Sequence, residues 1–182
     1  MFLKFNVEKA IQAAGVLLRE EGKALTRLRL LKLLLIADRQ SLRDTGRPIL
    51  GSRVVAMDNG PLHRDVYDLI KGTHNSAPAW SAYFTNGGPR NLRMTEQASV
   101  GLLSRQEIDT LICVLRKHET LDDWALAELT REFPEWRETY KEGTSRPVSL
   151  EKIIAGVGRG DDKEAILQDL RESEAFDAVF AT

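Results

Sequence analysis

Ten residues, Leu28 to Ala37 (Leu28-Arg29-Leu30-Leu31-Lys32-Leu33-Leu34-Leu35-Ile36-Ala37), constrain the fold more than any other stretch of this chain. Wound as a helix, they place apolar side chains around nearly the whole circumference. A helix that is apolar on every side belongs at the centre of a bundle, so this one is the expected hub of the core. Thr26 is placed to cap it. The run is too short for a bilayer and carries Arg29 and Lys32, which excludes a membrane span.

Around this hub the sequence is punctuated mostly for helices. Asn6 can cap a helix with Val7, Ala10, Ile11, Ala14, Leu17 and Leu18 on one face, ending at Gly22. Pro61 reads as a first helical residue, followed at helical spacing by Leu62, Val66, Leu69 and Ile70 before Gly72. Ser104 and Glu107 form a capping-box pattern ahead of Ile108, Leu111, Ile112 and Leu115. Thr120 and Asp123 open a further helix that stops before Pro134, and a short one runs from Pro134 to Tyr140. Ser149 and the Asp161-Asp162 pair are caps for two more. Strand signal is modest. Trp80 to Thr85 and Leu92 to Thr95 flank the turn composition Asn86-Gly87-Gly88-Pro89, which predicts a hairpin, and Arg53 to Met57 is a candidate short strand. The expected fold is mainly α: a compact helical domain around the buried Leu-rich helix, with a small β-hairpin.

Composition narrows the function classes. The chain has 182 residues, 42% hydrophobic and 29% charged, enough to bury one sizeable core. A single cysteine, Cys113, excludes an internal disulfide and fits a reducing compartment; its neighbours Leu111, Ile112, Val114 and Leu115 predict a packed thiol. No signal peptide is evident, so the expected location is cytoplasmic. The three histidines, His63, His74 and His118, stand on separate segments without metal spacing, and no phosphate loop or dinucleotide fingerprint occurs. Gly156 to Gly160 follows a helix rather than a strand, so it reads as a connector. His63 with Asp65 is the one acid–base candidate, and capping is the better account of it. Hence no catalytic residue, metal or cofactor is assigned.

Charge is uneven. From residue 161 to 182, seven acids face Lys163 and Arg171, net −5, which leaves +4 on a chain of net charge −1. This splits the chain into a body (1–154) and an acidic helical extension (155–182) whose Ile166, Leu170, Phe176, Val179 and Phe180 form an apolar face. That face has two equal destinations, the chain's own core or a partner, whether another protein or a second copy. Arg27, Arg29, Lys32, Arg39, Arg43 and Arg47 cluster about the central helix and make DNA contact a second-choice reading. Arg29 and Lys32 can equally snorkel from the core or pair with acids.

Two landmarks carry a family resemblance. The first is Lys32-Leu33-Leu34, then Ala56-Met57-Asp58-Asn59-Gly60-Pro61, then Val66-Tyr67 with Leu69-Ile70; the second is Leu129-Thr130-Arg131-Glu132-Phe133-Pro134-Glu135-Trp136. In this order they resemble the Panacea domain of SocA-like antitoxins. The chain departs from the pattern at Leu35, Met57 and Arg131, where the family has Tyr, an aromatic residue and His, so no histidine chemistry carries over at Arg131. The resemblance implies an antitoxin of a prokaryotic or prophage toxin–antitoxin system. Such a protein neutralises a cognate toxin by direct binding and needs no catalytic group. A phage-derived DNA-binding regulator or proteolytic adaptor of the same fold is the alternative. The candidate partner-binding residues are Gly60, Pro61, His63, Arg64, Tyr67 and Trp136 in the landmarks, with Phe176 and Phe180 in the acidic extension. For Gly60 a fold-defining turn, and for Trp136 a place in the core, are the favoured readings.

Overall fold

The computed structural model describes residues 3–180, with the backbone alone for Phe180. Among the described residues there are nine α-helices, and five of them begin at a side-chain cap. α1 (Val7–Glu20) starts at Asn6, whose side chain accepts the Lys9 N–H at 3.0 Å. α2 (Arg27–Thr45) starts at Thr26, whose hydroxyl accepts the Arg29 N–H at 3.0 Å, and ends at left-handed Gly46. α3 (Arg64–Lys71) and the single-turn α4 (Ala77–Ser81) follow. α5 (Arg105–Lys117) carries the full Ser104–Glu107 capping box. α6 (Asp123–Arg131) is capped by Asp122 rather than Thr120, and the Asp123 carboxylate instead accepts a hydrogen bond from Thr26 at 2.6 Å. α7 (Pro134–Arg137), α8 (Leu150–Gly156, capped by Ser149) and α9 (Lys163–Phe180) complete the set.

Six short strands make two antiparallel sheets. β1 (Ala24–Thr26), β5 (Asn91–Met94) and β4 (Phe84–Asn86) lie in that order, so the expected hairpin is present, although Trp80 and Ser81 belong to α4. β3 (Gly60–His63), β2 (Val54–Met57) and β6 (Arg146–Val148) form the other. Here the structure corrects the sequence reading. Pro61 does not open a helix; it pairs with Ala56 in β3, and α3 begins three residues later. The cause is backbone geometry. Gly60 has φ +87° while neither Asp58 nor Asn59 has a positive φ, the pattern of a turn closed by a left-handed residue that reverses the chain onto β2. Because β3 is an edge strand, the missing Pro61 N–H leaves the ladder unharmed.

In α2, Leu30, Leu31, Leu33, Leu34, Leu35, Ile36 and Ala37 are buried, and the helix packs against α1, α5, α6 and β3. A second apolar cluster joins Leu35, Leu42, Val54, Trp136, Ile154, Ile166, Leu167 and Leu170. The first half of α9 therefore folds back on its own chain. Leu167→Ala is expected to cost about 3 kcal/mol in a denaturant titration; no loss would show that this half of α9 is not packed. Cys113 is exposed, contrary to the packed thiol expected. Two residues from Leu111 along α5 is the opposite side of a helix, so its apolar sequence neighbours were a poor guide.

Candidate functional site

The two sequence landmarks meet in space at the β2–β3 hairpin. Lys32, fully buried on α2, donates from Nζ to the Pro61 carbonyl at 2.8 Å. Burial above all, with the nearby Arg131 guanidinium adding to it, lowers the Lys32 pKa to about 7. Lys32 thus neither snorkels nor pairs with an acid, and Arg29 likewise donates to the Leu121 and His118 carbonyls. From the other side, Trp136 donates from Nε1 to the Met57 carbonyl at 3.0 Å and stacks on Tyr140 with ring centres 4.4 Å apart. Thr130 and Arg131 press on Gly60: a β-carbon there would lie 2.6 Å from Thr130 Oγ1, 2.9 Å from Lys32 Nζ and 3.3 Å from Arg131 Cγ. The hairpin is clamped between a lysine, a threonine and a tryptophan.

A second set of buried polar groups fastens the neighbouring loop. Asp38 accepts the Ile49 and Leu50 N–H groups through Oδ1 at 2.7 and 2.8 Å, which tethers the chain after the Gly46 break. Its Oδ2 lies 3.5 Å from His63 Nε2, and neither ring nitrogen of His63 makes a hydrogen bond. Burial raises the Asp38 pKa, against the opposing pull of His63. Asp65 turns away from His63 to Arg53 and Ser52, so the pair suggested for acid–base work is not formed. Burial disfavours the Asp65 charge, yet hydrogen bonds from the Arg53 side chain and N–H and from Ser52 outweigh it and lower its pKa. Arg39 bonds buried Glu135 at 2.5 Å and lies 3.7 Å over the Phe133 ring, joining α2 to the second landmark. Asp38, His63, Arg39 and Glu135 border a cavity of about 40 Å³ with mostly apolar walls. That is room for a water or two, far below the volume of a substrate pocket.

The candidate partner residues divide by exposure. Gly60, Pro61, His63 and Trp136 are buried inside the clamp. Arg64 and Tyr67 lie half-buried on α3, with the Arg64 guanidinium 5.8 Å from the Tyr67 ring. Phe176 is 63% exposed on α9, whereas the Phe180 side chain lies outside the described residues, as do residues 1, 2, 181 and 182. Sequence reasoning passed over Trp124, 66% exposed on α6, because it falls among apolar residues of a helical pattern. Spacing alone could not have found it: Trp124 stands three residues before buried Ala127, next to it on the helix surface, and it is exposed because α6 turns Leu126, Ala127 and Thr130 to the core. Among the described residues, no group of three or more His, Cys, Asp or Glu is placed to hold a metal ion. No helix there is long and apolar enough to cross a membrane.

These features define a mainly α domain in which Lys32 and Asp38 hold backbone and the large exposed apolar side chains Trp124, Phe176 and Val179 stand on helices. The family model described as antitoxin SocA-like, Panacea domain, matches residues 30–137, more than half of the chain and inclusive of both landmarks; the chain belongs to that family. No curated protein and no solved structure matches it significantly.

Proposed function

We propose that this protein is an antitoxin that neutralises a cognate toxin by forming a stable complex with it, covering the toxin's active surface or holding it in an inactive shape. The observation that carries this reading is the family match over residues 30–137. The uses of the conspicuous polar groups agree with it: Lys32 and Asp65 hold backbone, and Glu135 holds the Arg39 side chain. The DNA reading loses ground on the same account. Arg39 pairs with Glu135, Arg43 with Asp44 and Arg47 with Asp169, and Arg29 and Lys32 donate to backbone carbonyls, which leaves Arg27 alone of the six without such a partner among the described residues. The toxin-facing set is drawn from the exposed or half-exposed Arg64, Tyr67, Trp124 and Phe176. Trp124 is the anchor, because an exposed tryptophan is the side chain that most often dominates an interface.

The test is co-expression with the product of the adjacent gene. Rescue of growth together with co-purification supports the reading; absence of toxicity in the neighbour, or rescue without a complex, defeats it. Trp124→Ala is expected to weaken the complex by about tenfold or more while leaving the melting temperature unchanged. Equal binding by the variant would remove Trp124 from the interface.

A further inference from the structure

A groove of about 350 Å³ runs between the C-terminal half of α2, the end of α5, the α6–α7 junction and the end of α8. Its floor is apolar, built from Ile36, Leu129, Phe133 and Val157, and its rim is basic, with Arg43 and Lys117 exposed; no acidic side chain lines it. Arg43 is paired with Asp44, but Lys117 makes no ion pair among the described residues. Such a surface suits a short amphipathic helix that carries acid beside its apolar stripe.

The same chain displays one. Along the second half of α9, Glu172, Phe176 and Val179 stand at i, i+4 and i+7 on one exposed stripe, with Phe176 and Val179 63% and 68% exposed. The opposite side of that helix, Leu170, Ser173, Glu174 and Asp177, faces the N-terminal segment, and Glu174 accepts the Lys4 N–H. The helix cannot bring its stripe to its own groove. Ile166, Leu167 and Leu170 pin it to the Leu42 cluster, Arg47 holds Asp169 at 2.8 Å, and the unbroken helix carries Phe176 about 20 Å from its start. A second copy is under no such constraint.

We infer that the end of α9 of one copy docks in the α2–α5–α8 groove of another, with Phe176 and Val179 on the apolar floor and Glu172 near Lys117. The contact is head-to-tail, so each associated copy keeps one groove or one α9 end open for a further copy. Sedimentation of the full chain tests it without any toxin. The mass should rise with protein concentration and fall back at high salt. Lys117→Glu and Phe176→Ser should each weaken association by about tenfold or more, with melting temperatures retained. Val179→Asp serves as a second α9 variant should Phe176→Ser disturb the fold. Mixing the groove variant with either α9 variant should restore a one-to-one dimer that neither forms alone, because the mixture contains one intact groove and one intact stripe. A monomer at every concentration, association that none of these changes weakens, or a mixture that stays monomeric overturns the inference. Each of those results leaves the antitoxin reading untouched.

Discussion

Gly60→Val is expected to destabilise this protein by about 4 kcal/mol, combining the cost of a β-branched residue in left-handed backbone with overpacking of a filled site. The φ of +87° is the first contribution. The second is contact with Thr130 Oγ1 and Lys32 Nζ, 2.6 and 2.9 Å from the new β-carbon. Neither neighbour can easily withdraw: Thr130 donates to the Ala127 carbonyl and Lys32 to the Pro61 carbonyl. In a thermal melt the loss corresponds to a fall of about 10 °C for a chain of this size. Partner binding should fall with stability, since the residue lies beneath the surface. A variant that melts like the parent yet loses binding would move Gly60 from scaffold to interface.

The other large effect is a pH dependence set by Lys32. Its folded-state pKa of about 7 lies below the ordinary 10.5, so the unfolded chain binds the proton more tightly. Stability contributed at this site is therefore lowest below pH 7 and rises as pH climbs from about 7 towards 10.5. The full span is on the order of 5 kcal/mol. Other groups titrate in the same range, so the informative quantity is a difference. Urea unfolding of the parent and of Lys32→Met should give free energies whose gap changes with pH, the parent gaining as pH rises. Parallel curves would refute a neutral buried lysine. Asp38 works in the opposite sense: its pKa is raised, so its contribution is lost as pH rises above the ordinary 3.8. Asp38→Asn should remove that loss, and the side-chain oxygen of Asn can still accept from Ile49 and Leu50.

How much of this was legible in the sequence follows from how far apart the interacting residues are. Caps at Asn6, Thr26, Ser104 and Ser149 join residues three apart, and every one could be read from the chain. The β4–β5 hairpin was legible for the same reason, with its turn residues adjacent to its strands. Pairs such as Lys32 with Pro61, 29 residues apart, and Trp136 with Met57, 79 apart, leave no local trace. His63 shows the difficulty most plainly. Its sequence neighbour Asp65 suggests one partnership, while folding brings it from β3 to Asp38 on α2. Pro61 misleads because its preference for a first helical turn also suits an edge strand after a left-handed glycine. The candidate surface was the least legible of all, since exposure on α3, α6 and α9 depends on how each helix is rotated against the core.

The clamp on the hairpin has a bearing on how such a protein can change its partner. Lys32, Thr130 and Trp136 are all buried. These landmark residues are thereby shielded from any partner, and the exposed Trp124 and Phe176 lie off the clamp. Exposed substitutions usually shift stability by only about half a kcal/mol either way. If the proposed antitoxin role holds, the outer faces of α6 and α9 can be rewritten while the scaffold is inherited intact, so one fold can be refitted to unrelated adversaries.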